Sequence, residues 1–373
     1  VDAPFTDVVR NAGIPIWSEI ELAYHYGKGK IAAITGTNGK TTTTALVGEI
    51  VRAHNAKTIV VGNIGIPYTE LCDTTDDDSD TVAEISSFQL ETVIDFHPNV
   101  SAILNLTPDH LNRHYTFENY GNVKFSITKN QTMDDVTVLN YDDEHTRAMG
   151  EKAKDHCHVV YFSRLEKPAG GVYVEDGDII LEDGDKKINV LAIKDLKLMG
   201  AHNVENVLAA VGISYYMGVP VDVIRDVATS FKAVAHRIEY VDTIDGVAYY
   251  NDSKGTNPDA AIKGIQAMVA PTFLIGGGYD KGSEYDEWIE AFDGKVKWLV
   301  LIGQTAQKIA DCAKRHGFNS IIFEENLQDA VAYCHENAVD GDAVLLSPAC
   351  ASWGQFDNYE QRGDMFKEYV RNL

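Results

Sequence analysis

The chain has 373 residues, with 32 Lys and Arg against 56 Asp and Glu, so its formal net charge is −24. Such a charge repels polyanions and argues against nucleic acid or an acidic membrane surface as a partner. No apolar run reaches the roughly 18 residues that cross a bilayer, and the cysteines show no metal-ligand spacing. We expect a cytoplasmic, monomeric protein with reduced thiols, long enough for two domains.

Strand and helix patterns alternate along the chain, which predicts an α/β fold with mostly parallel sheets. The first part has expected strands at 30–35, 58–61, 81–85, 100–106 and 136–140, with helices at about 41–54 and 117–129. Residues 157–194 instead alternate with period two around Asp-Gly turns, which predicts a small antiparallel meander appended to this domain. A helix over 202–217 should pack back on the core.

The segment 31–44, IAAITGTNGKTTTT, joins an apolar strand to a glycine loop, a lysine and a row of hydroxyls. Gly36 and Gly39 allow backbone N–H groups to crowd round a polyphosphate at a helix N-terminus. Lys40 would reach the outer phosphates, and Thr41 would offer its hydroxyl to Mg²⁺. The general P-loop motif has a further glycine where this chain has Ile34, so the match is partial, and a plain strand-to-helix turn is the alternative.

Polar residues follow two more strands of this first sheet, at the edge where ligands gather. Glu84 ends the strand 81–85 and suits Mg²⁺, although a partnered core glutamate is the alternative. His110 follows the strand 100–106, although a histidine in such a loop is by itself more often a surface or capping residue. Lys124, on the helix 117–129, looks by itself like a solvated helix lysine.

A second α/β domain begins after a linker near 230–236. Its expected strands are 237–241, 247–250, 272–276, 297–302, 320–323 and 342–346. Three of them run into loops rich in polar and small residues, at 250–257, 276–282 and 347–363. Three such loops on one sheet edge predict a pocket for a small charged molecule.

Eight ordered motifs together resemble the Mur ligases, and the last points to the members that add D-glutamate. They are TGTNGKTTT, GNIGIP, EISSFQLE, LNLTPDHLNRH, HRIEY, YNDSKGTN, GGGYDKG and LLSPACASWGQFDNYEQRGDMF. The resemblance implies a central P-loop ATPase domain at 27–233 and a Rossmann-like C-terminal domain that binds D-glutamate at 234–373. It also implies that residues 1–26, expected as a helix and a strand, are the remnant of a UDP-binding domain.

The resemblance further implies a reaction. The carboxylate of UDP-N-acetylmuramoyl-L-alanine takes the γ-phosphate of ATP, and the amine of D-glutamate attacks the resulting acyl phosphate. The implied catalytic residues are Lys40, Glu84, His110, Lys124 and His236. Two Mg²⁺ sites would use Thr41, Glu84, His110 and a carbamylated Lys124.

The same resemblance assigns the remaining contacts. The nucleotide would lie against Gly36, Thr37, Asn38, Gly39, Lys40, Thr41, Thr42, Asn203, Arg237, Asp252 and Lys254. The substrates would contact Asn63, Thr107, Thr256, Lys281, Ser352 and Tyr359.

Two other readings are open at this point. One is a different ATP-dependent amino-acid ligase, either another Mur ligase or a folylpolyglutamate synthetase. The other is an inactive nucleotide-binding fragment. Because only about 1–26 would remain of the UDP-binding domain, we expect the chain to bind ATP but to hold the UDP-substrate weakly.

Overall fold

The computed structural model describes residues 4–63, 66–198, 200–232 and 235–373. Positions 64–65 of the GNIGIP motif and 233–234 of the expected linker therefore lie outside the described residues. Contacts divide the chain into two compact units, one running to Leu198 and continuing over His202–Phe231, the other covering Lys232–Leu373. The three-part division expected from the sequence stays a prediction.

The described part of the first unit forms a nine-stranded sheet in the order β2-β3-β1-β4-β5-β6-β7-β8-β9. Its strands are β1 Lys30–Thr35, β2 Thr58–Gly62, β3 Asp80–Glu84, β4 Val100–Ile103, β5 Val136–Asn140, β6 His158–Ser163, β7 Gly171–Glu175, β8 Asp178–Asp183 and β9 Lys186–Ala192. Pairing is parallel as far as β7, whereas β8 and β9 are antiparallel additions.

The mostly parallel sheet confirms the predicted fold class, and β7, β8 and β9 confirm the antiparallel meander. Two details differ, the first being that β6, at the start of the predicted meander, pairs in parallel with β5 and β7, so that the meander extends the same sheet. Strand β4 also ends at Ile103, earlier than predicted. The chain leaves the sheet there because Asn105 hydrogen-bonds to the glycine loop at Asn38.

Helices surround this sheet. They are α1 Pro4–Asn11, α2 Glu19–Tyr26, α3 Lys40–His54, α4 Tyr68–Leu71, α5 Ser87–Leu90, α6 Leu111–His114, α7 Phe117–Phe125, α8 Glu144–Ala153, α9 Ala201–Tyr216 and α10 Val221–Ser230, with 3₁₀ turns at Cys72–Thr74, Ser126–Thr128 and Ile193–Asp195. The strand expected within 1–26 was wrong, since the described elements there are two helices. Helix α2 packs Ile20 and Ala23 into the core, and its buried Glu21 accepts hydrogen bonds from the backbone N–H groups of residues 94–96.

The described part of the second unit has a six-stranded sheet in the order β10-β11-β15-β12-β13-β14, parallel except for β10. Its strands are β10 Glu239–Ile244, β11 Val247–Asn251, β12 Thr272–Gly276, β13 Val296–Leu301, β14 Ile321–Phe323 and β15 Ala343–Leu346. Its helices are α11 Pro258–Ala267, α12 Asp286–Glu290, α13 Ala306–Arg315, α14 Leu327–Asn337 and α15 Tyr359–Arg371. Apolar side chains pack on both sheet faces.

The strand predicted at 237–241 begins later, at Glu239. His236 and Ile238 have positive φ angles of 64° and 48°, which interrupt an extended conformation. Among the described residues, no helix is both long and apolar enough to span a membrane.

Candidate active site

The glycine loop lies between β1 and α3, and β1 is the third strand of the first sheet, flanked by β3 and β4. Gly36 and Gly39 have φ angles of 148° and 85°, which a side chain disfavours. A Cβ at Gly39 would also collide with the carboxamide of Asn206. The fifteen-residue helix that follows begins at Lys40. The loop therefore presents backbone N–H groups and a helix N-terminus together, as a phosphate site requires.

The loop is fixed by the segment that follows β4, the strand beside β1. Asn105 accepts a hydrogen bond from the Asn38 N–H at 2.8 Å and donates to the Asn38 carbonyl at 3.0 Å. Thr37 Oγ1 donates to the Thr107 carbonyl at 3.2 Å and accepts from its N–H at 3.1 Å. The sequence analysis missed Asn105, although it lies two residues before Thr107 on the predicted edge.

Two lysines share one acceptor in this loop. Lys40 Nζ and Lys124 Nζ each donate to the Gly36 carbonyl oxygen at 2.9 Å. Lys124 is only 1% exposed, so it is not the solvated lysine that its position on α7 suggested. Burial, with the neighbouring Lys40 charge as the second cause, holds the pKa of Lys124 well below its usual value.

Glu84 ends β3, on the other side of β1. Its side chain is 2% exposed, and Oε1 accepts a hydrogen bond from Asn63 Nδ2 at 2.9 Å. Oε2 is buried and has no hydrogen-bond partner among the described residues. A buried carboxylate oxygen without a partner is costly unless a cation binds it. With the hydroxyl of Thr41 at the start of α3, the donor set fits Mg²⁺.

His110 lies apart from this cluster. Its side chain is half exposed, 3.5 Å from Asp109 and edge-on to Phe88, with ring centroids 4.9 Å apart. No described contact joins it to Glu84 or Lys124, so its metal role stays a prediction. Nearby His114 is buried, and its Nε2 lies 3.0 Å from Ser87 Oγ. No motif spacing pointed to His114.

Helix α9 meets the phosphate-loop helix through a pair of buried amides. Asn206 Nδ2 donates to Asn203 Oδ1 at 3.0 Å, and Asn206 Oδ1 accepts from Thr43 Oγ1 at 3.3 Å. Thr42 Oγ1 is buried with no hydrogen-bond partner in the described part of the chain. Asn203 and Thr42 therefore lie where α9 meets α3. Asn206 was not predicted, although it is three residues from Asn203 on the predicted helix.

In the second unit, the three predicted loops follow β11, β15 and β12, which are adjacent parallel strands. Asp252, after β11, is 3% exposed and accepts a hydrogen bond from Ser347 Oγ at 2.7 Å. Burial raises the pKa of Asp252 to about 7, against the opposing effect of Arg237. Arg237 Nε is buried without a hydrogen-bond partner among the described residues, so it is available to an anion.

His236 is buried, and its Nδ1 lies 3.0 Å from Asn251 Nδ2. Burial, followed by the charge of Lys367, lowers the pKa of His236. The His236 carbonyl accepts from the Lys254 N–H at 2.9 Å. A packing role explains these contacts, and the predicted catalytic role of His236 stays a prediction.

The predicted amino-acid contacts surround the same sheet edge. Lys254 Nζ lies 5.4 Å from the centre of the Tyr359 ring, and Lys281 Nζ lies 5.9 Å from that of Trp353. Thr256 follows Lys254 in its loop, and Ser352 is buried with its carbonyl accepting from the Phe356 N–H at 3.1 Å. Each ammonium group lies over the face of an aromatic ring, so its positive charge stays beside the loops.

Arg362 connects these loops and was missed by the sequence analysis. It is 1% exposed, and its guanidinium donates to Ser253 Oγ at 2.9 Å, the Ser253 carbonyl at 2.7 Å and the Cys350 carbonyl at 3.1 Å. It thereby joins the loop after β11 to the loop after β15. An arginine in a polar loop-to-helix segment gives no sequence signal for such burial.

The glycine loop, the paired lysines and the carboxylate at adjacent strand ends define a nucleotide-binding α/β protein. Family models agree, with the Mur ligase middle domain matching residues 34–214 and the Mur ligase glutamate ligase domain matching 236–350. A relative from Lachnospira eligens, named UDP-N-acetylmuramoylalanine–D-glutamate ligase, is 58% identical over 100% of this chain and 82% of its own length. The chain belongs to the Mur ligase family.

Other comparisons agree with this family. A relative of the same name from Clostridioides difficile is 50% identical, again over 100% of this chain and 82% of the relative. The solved structure of a MurF ligase from Thermotoga maritima with ADP has a TM-score of 0.68 at 17% identity, covering 100% of this chain and 85% of that one. The alanine ligase MurC from Thermotoga maritima has a TM-score of 0.68 at 19% identity, with coverages of 100% and 83%. These structures show the shared fold.

Proposed function

We infer that this chain joins D-glutamate to UDP-N-acetylmuramoyl-L-alanine with ATP, in the synthesis of a cell-wall peptidoglycan precursor. The observation that carries this inference is the 58% identity, over the whole chain, to a relative named for that reaction. The loop residues described above supply the groups that such chemistry needs. The ligase acts on small molecules, and we propose that it does so as a cytoplasmic monomer.

The first unit would hold ATP and activate the carboxylate. The 36–41 backbone and Lys40 would bind the β- and γ-phosphates, while Asn63 and Thr107 would face the UDP-substrate. One Mg²⁺ fits Thr41 and the unpartnered oxygen of Glu84, where it would offset charge on the phosphates. The substrate carboxylate oxygen then bonds to the γ-phosphorus as the bond to ADP breaks.

The second unit would supply the amine. Lys281, Thr256, Ser352 and Tyr359 would position D-glutamate, and a lysine suits one of its two carboxylates. The amine nitrogen attacks the acyl carbon, loses a proton, and phosphate leaves with the electrons of the acyl C–O bond. Asp252, Lys254 and Arg237 are the groups of this unit that we assign to the nucleotide.

We propose that Lys124 is carbamylated and serves, with His110 and Glu84, at a second Mg²⁺. A buried lysine held near another cation favours the neutral amine, whose lone pair can attack CO₂ with loss of a proton. The product is an anion in place of a cation. It would remove the repulsion between the two Nζ groups that share the Gly36 carbonyl.

The test is a ligase assay with ATP, the UDP-substrate and D-glutamate. Parallel assays offer L-lysine in place of D-glutamate, or a folate with glutamate in place of both substrates. Turnover only with the UDP-substrate and D-glutamate supports the assignment, whereas turnover with another substrate pair, or no turnover with any pair, contradicts it. Lys124→Ala should abolish turnover and recover part of it in acetate. Lys154→Ala, an exposed lysine of the same unit, should match the parent with and without acetate.

A further inference from the structure

Two neighbouring helices of the second unit carry four metal-ligating side chains that the ligase reaction does not use. Asp286 and Glu290 lie four residues apart on α12, and Cys312 and His316 lie four residues apart on and just after α13. Residues four apart point to the same side of a helix. Each helix therefore presents a pair of side chains that can bind a metal, and three of the four converge.

The side chains converge on a small volume. One ligand atom from each of Asp286, Cys312 and His316 lies within 4.8 Å of the other two. His316 Nε2 is 2.8 Å from Asp286 Oδ1, and its Nδ1 is 3.6 Å from Glu290 Oε1. Zinc bonds of about 2.0–2.3 Å place tetrahedral ligands roughly 3.4 Å apart. The side chains of Asp286 and His316 are partly exposed, so they have room to rotate toward a shared ion.

We propose that Asp286, Cys312 and His316 bind one Zn²⁺, with a water as the fourth ligand. Thiolate, imidazole and carboxylate together suit zinc and disfavour Mg²⁺. Binding costs the Cys312 thiol its proton, which passes to solvent as the Zn–S bond forms.

The surroundings allow a metal to enter from the surface. Cys312 is buried in the core cluster and forms the floor of the site, whereas the side chains of His316 and Asp286 are 26% and 44% exposed. Arg315 lies 3.3 Å from Asp286 Oδ1 and competes for it. Its side chain is 61% exposed, so a cation at Asp286 can displace it into water.

The consequence of zinc binding is a fixed contact between α12 and α13. Helix α12 begins five residues after Lys281, in the segment that leaves the 276–282 loop. Lys308 on α13 lies 3.7 Å from Asp280 of that loop. A metal between the helices would therefore stiffen the support of this loop. The binding claim itself stands apart from the proposed ligase activity.

The experiment uses the whole chain, stripped with a chelator and titrated with Co²⁺ in excess Mg²⁺. One Co²⁺ per chain should give a thiolate-to-cobalt charge-transfer band that Zn²⁺ removes. The glycine-loop site has no thiolate, so it cannot give this band. Cys312→Ser should abolish the band, and His316→Gln should weaken binding at least about tenfold. Zn²⁺ should also raise the melting temperature of the parent.

Matched controls are Cys72→Ser, a buried thiol of the first unit, and His145→Gln, a histidine outside the cluster. Both should bind Co²⁺ as the parent does. The proposal fails if the parent shows no band at equimolar Co²⁺, or if the band survives Cys312→Ser. If Cys312→Ser does not fold, the test uses Asp286→Asn and His316→Gln, which change partly exposed side chains. The proposal is overturned if both of these variants bind Co²⁺ with the affinity of the parent.

Discussion

The glycine loop of the first unit is fixed partly by groups that a ligand would also use, whereas the loops of the second unit are fixed by buried groups. In the first, Lys40 and Lys124 donate to the Gly36 carbonyl, and Glu84 accepts from Asn63. In the second, Arg362 and Ser347 bond inside the loops, and Lys281 rests on an exposed ring. Side chains that fix the first loop are thus also assigned to ligands, whereas Arg362, which joins two loops of the second edge, has no assigned ligand role.

Lys40→Ala should have the largest effect, a loss of ATP turnover of at least about 10³-fold, because it removes the cation that meets the transferring phosphate. The variant should nevertheless fold. It loses hydrogen bonds from Lys40 Nζ to the Gly36 and Thr37 carbonyls, but Lys40 is not part of the apolar core. Phosphate release and circular dichroism measure both effects, with Lys154→Ala as the control. A well-folded variant with normal turnover would rule out the phosphate-loop assignment.

Unlike Lys40→Ala, Arg362→Ala should mainly lower the stability of the fold. It leaves the Ser253 and Cys350 carbonyls without their buried donor, which we expect to cost about 3–5 kcal/mol. Urea unfolding measures the loss. Arg371→Ala, an exposed arginine on the same helix, should stay within about 0.5 kcal/mol of the parent. Equal free energies of unfolding for the two variants would show that Arg362 does not stabilise the loops of the second unit.

Asp252 predicts a pH dependence of stability. Its folded pKa of about 7 lies above the usual 3.8, so the folded state binds a proton more readily than the unfolded state in that window. The free energy of unfolding should therefore fall as pH rises from 4 to 7, by up to about 4 kcal/mol, and level off above. Asp252→Asn should remove this slope, whereas Asp242→Asn, at an exposed site, should keep it. Melting without nucleotide across this range tests both.

Lys281→Ala should give the smallest effect, because a lysine resting on a ring at the loop surface contributes binding without supporting the fold. The Michaelis constant for D-glutamate should rise about 10- to 100-fold, with that for ATP and the melting temperature unchanged. Steady-state kinetics with Lys314→Ala as the control separates the two constants. Parallel rises in both would place Lys281 outside the amino-acid site.

Much of the fold follows from patterns that are local in sequence. The apolar runs of β1 and β12, and the glycines and polar residues after them, predicted both sheets and the loops at their edges. The paired strands then confirmed that the predicted loops follow adjacent strands. Local patterning is informative here because parallel strands bury both faces.

What the sequence did not reveal depends on contacts between distant residues. Arg362 and His114 are polar residues whose burial is decided by partners far along the chain, at Ser253 and Ser87. The early end of β4 has the same origin, since Asn105 leaves the sheet to bind Asn38. The sequence pattern shows which residues are apolar, but it does not show which polar groups will find each other.

The Lys40 ammonium group on the Gly36 carbonyl has a kinetic consequence. It places a positive charge at the glycine loop of a molecule whose net charge is −24. An approaching ATP is repelled at long range and attracted only at contact. Salt screens the long-range repulsion well and the buried contact poorly. The association rate of ATP should therefore rise with ionic strength while the dissociation rate changes little, the reverse of the behaviour expected for an anion steered to a basic protein.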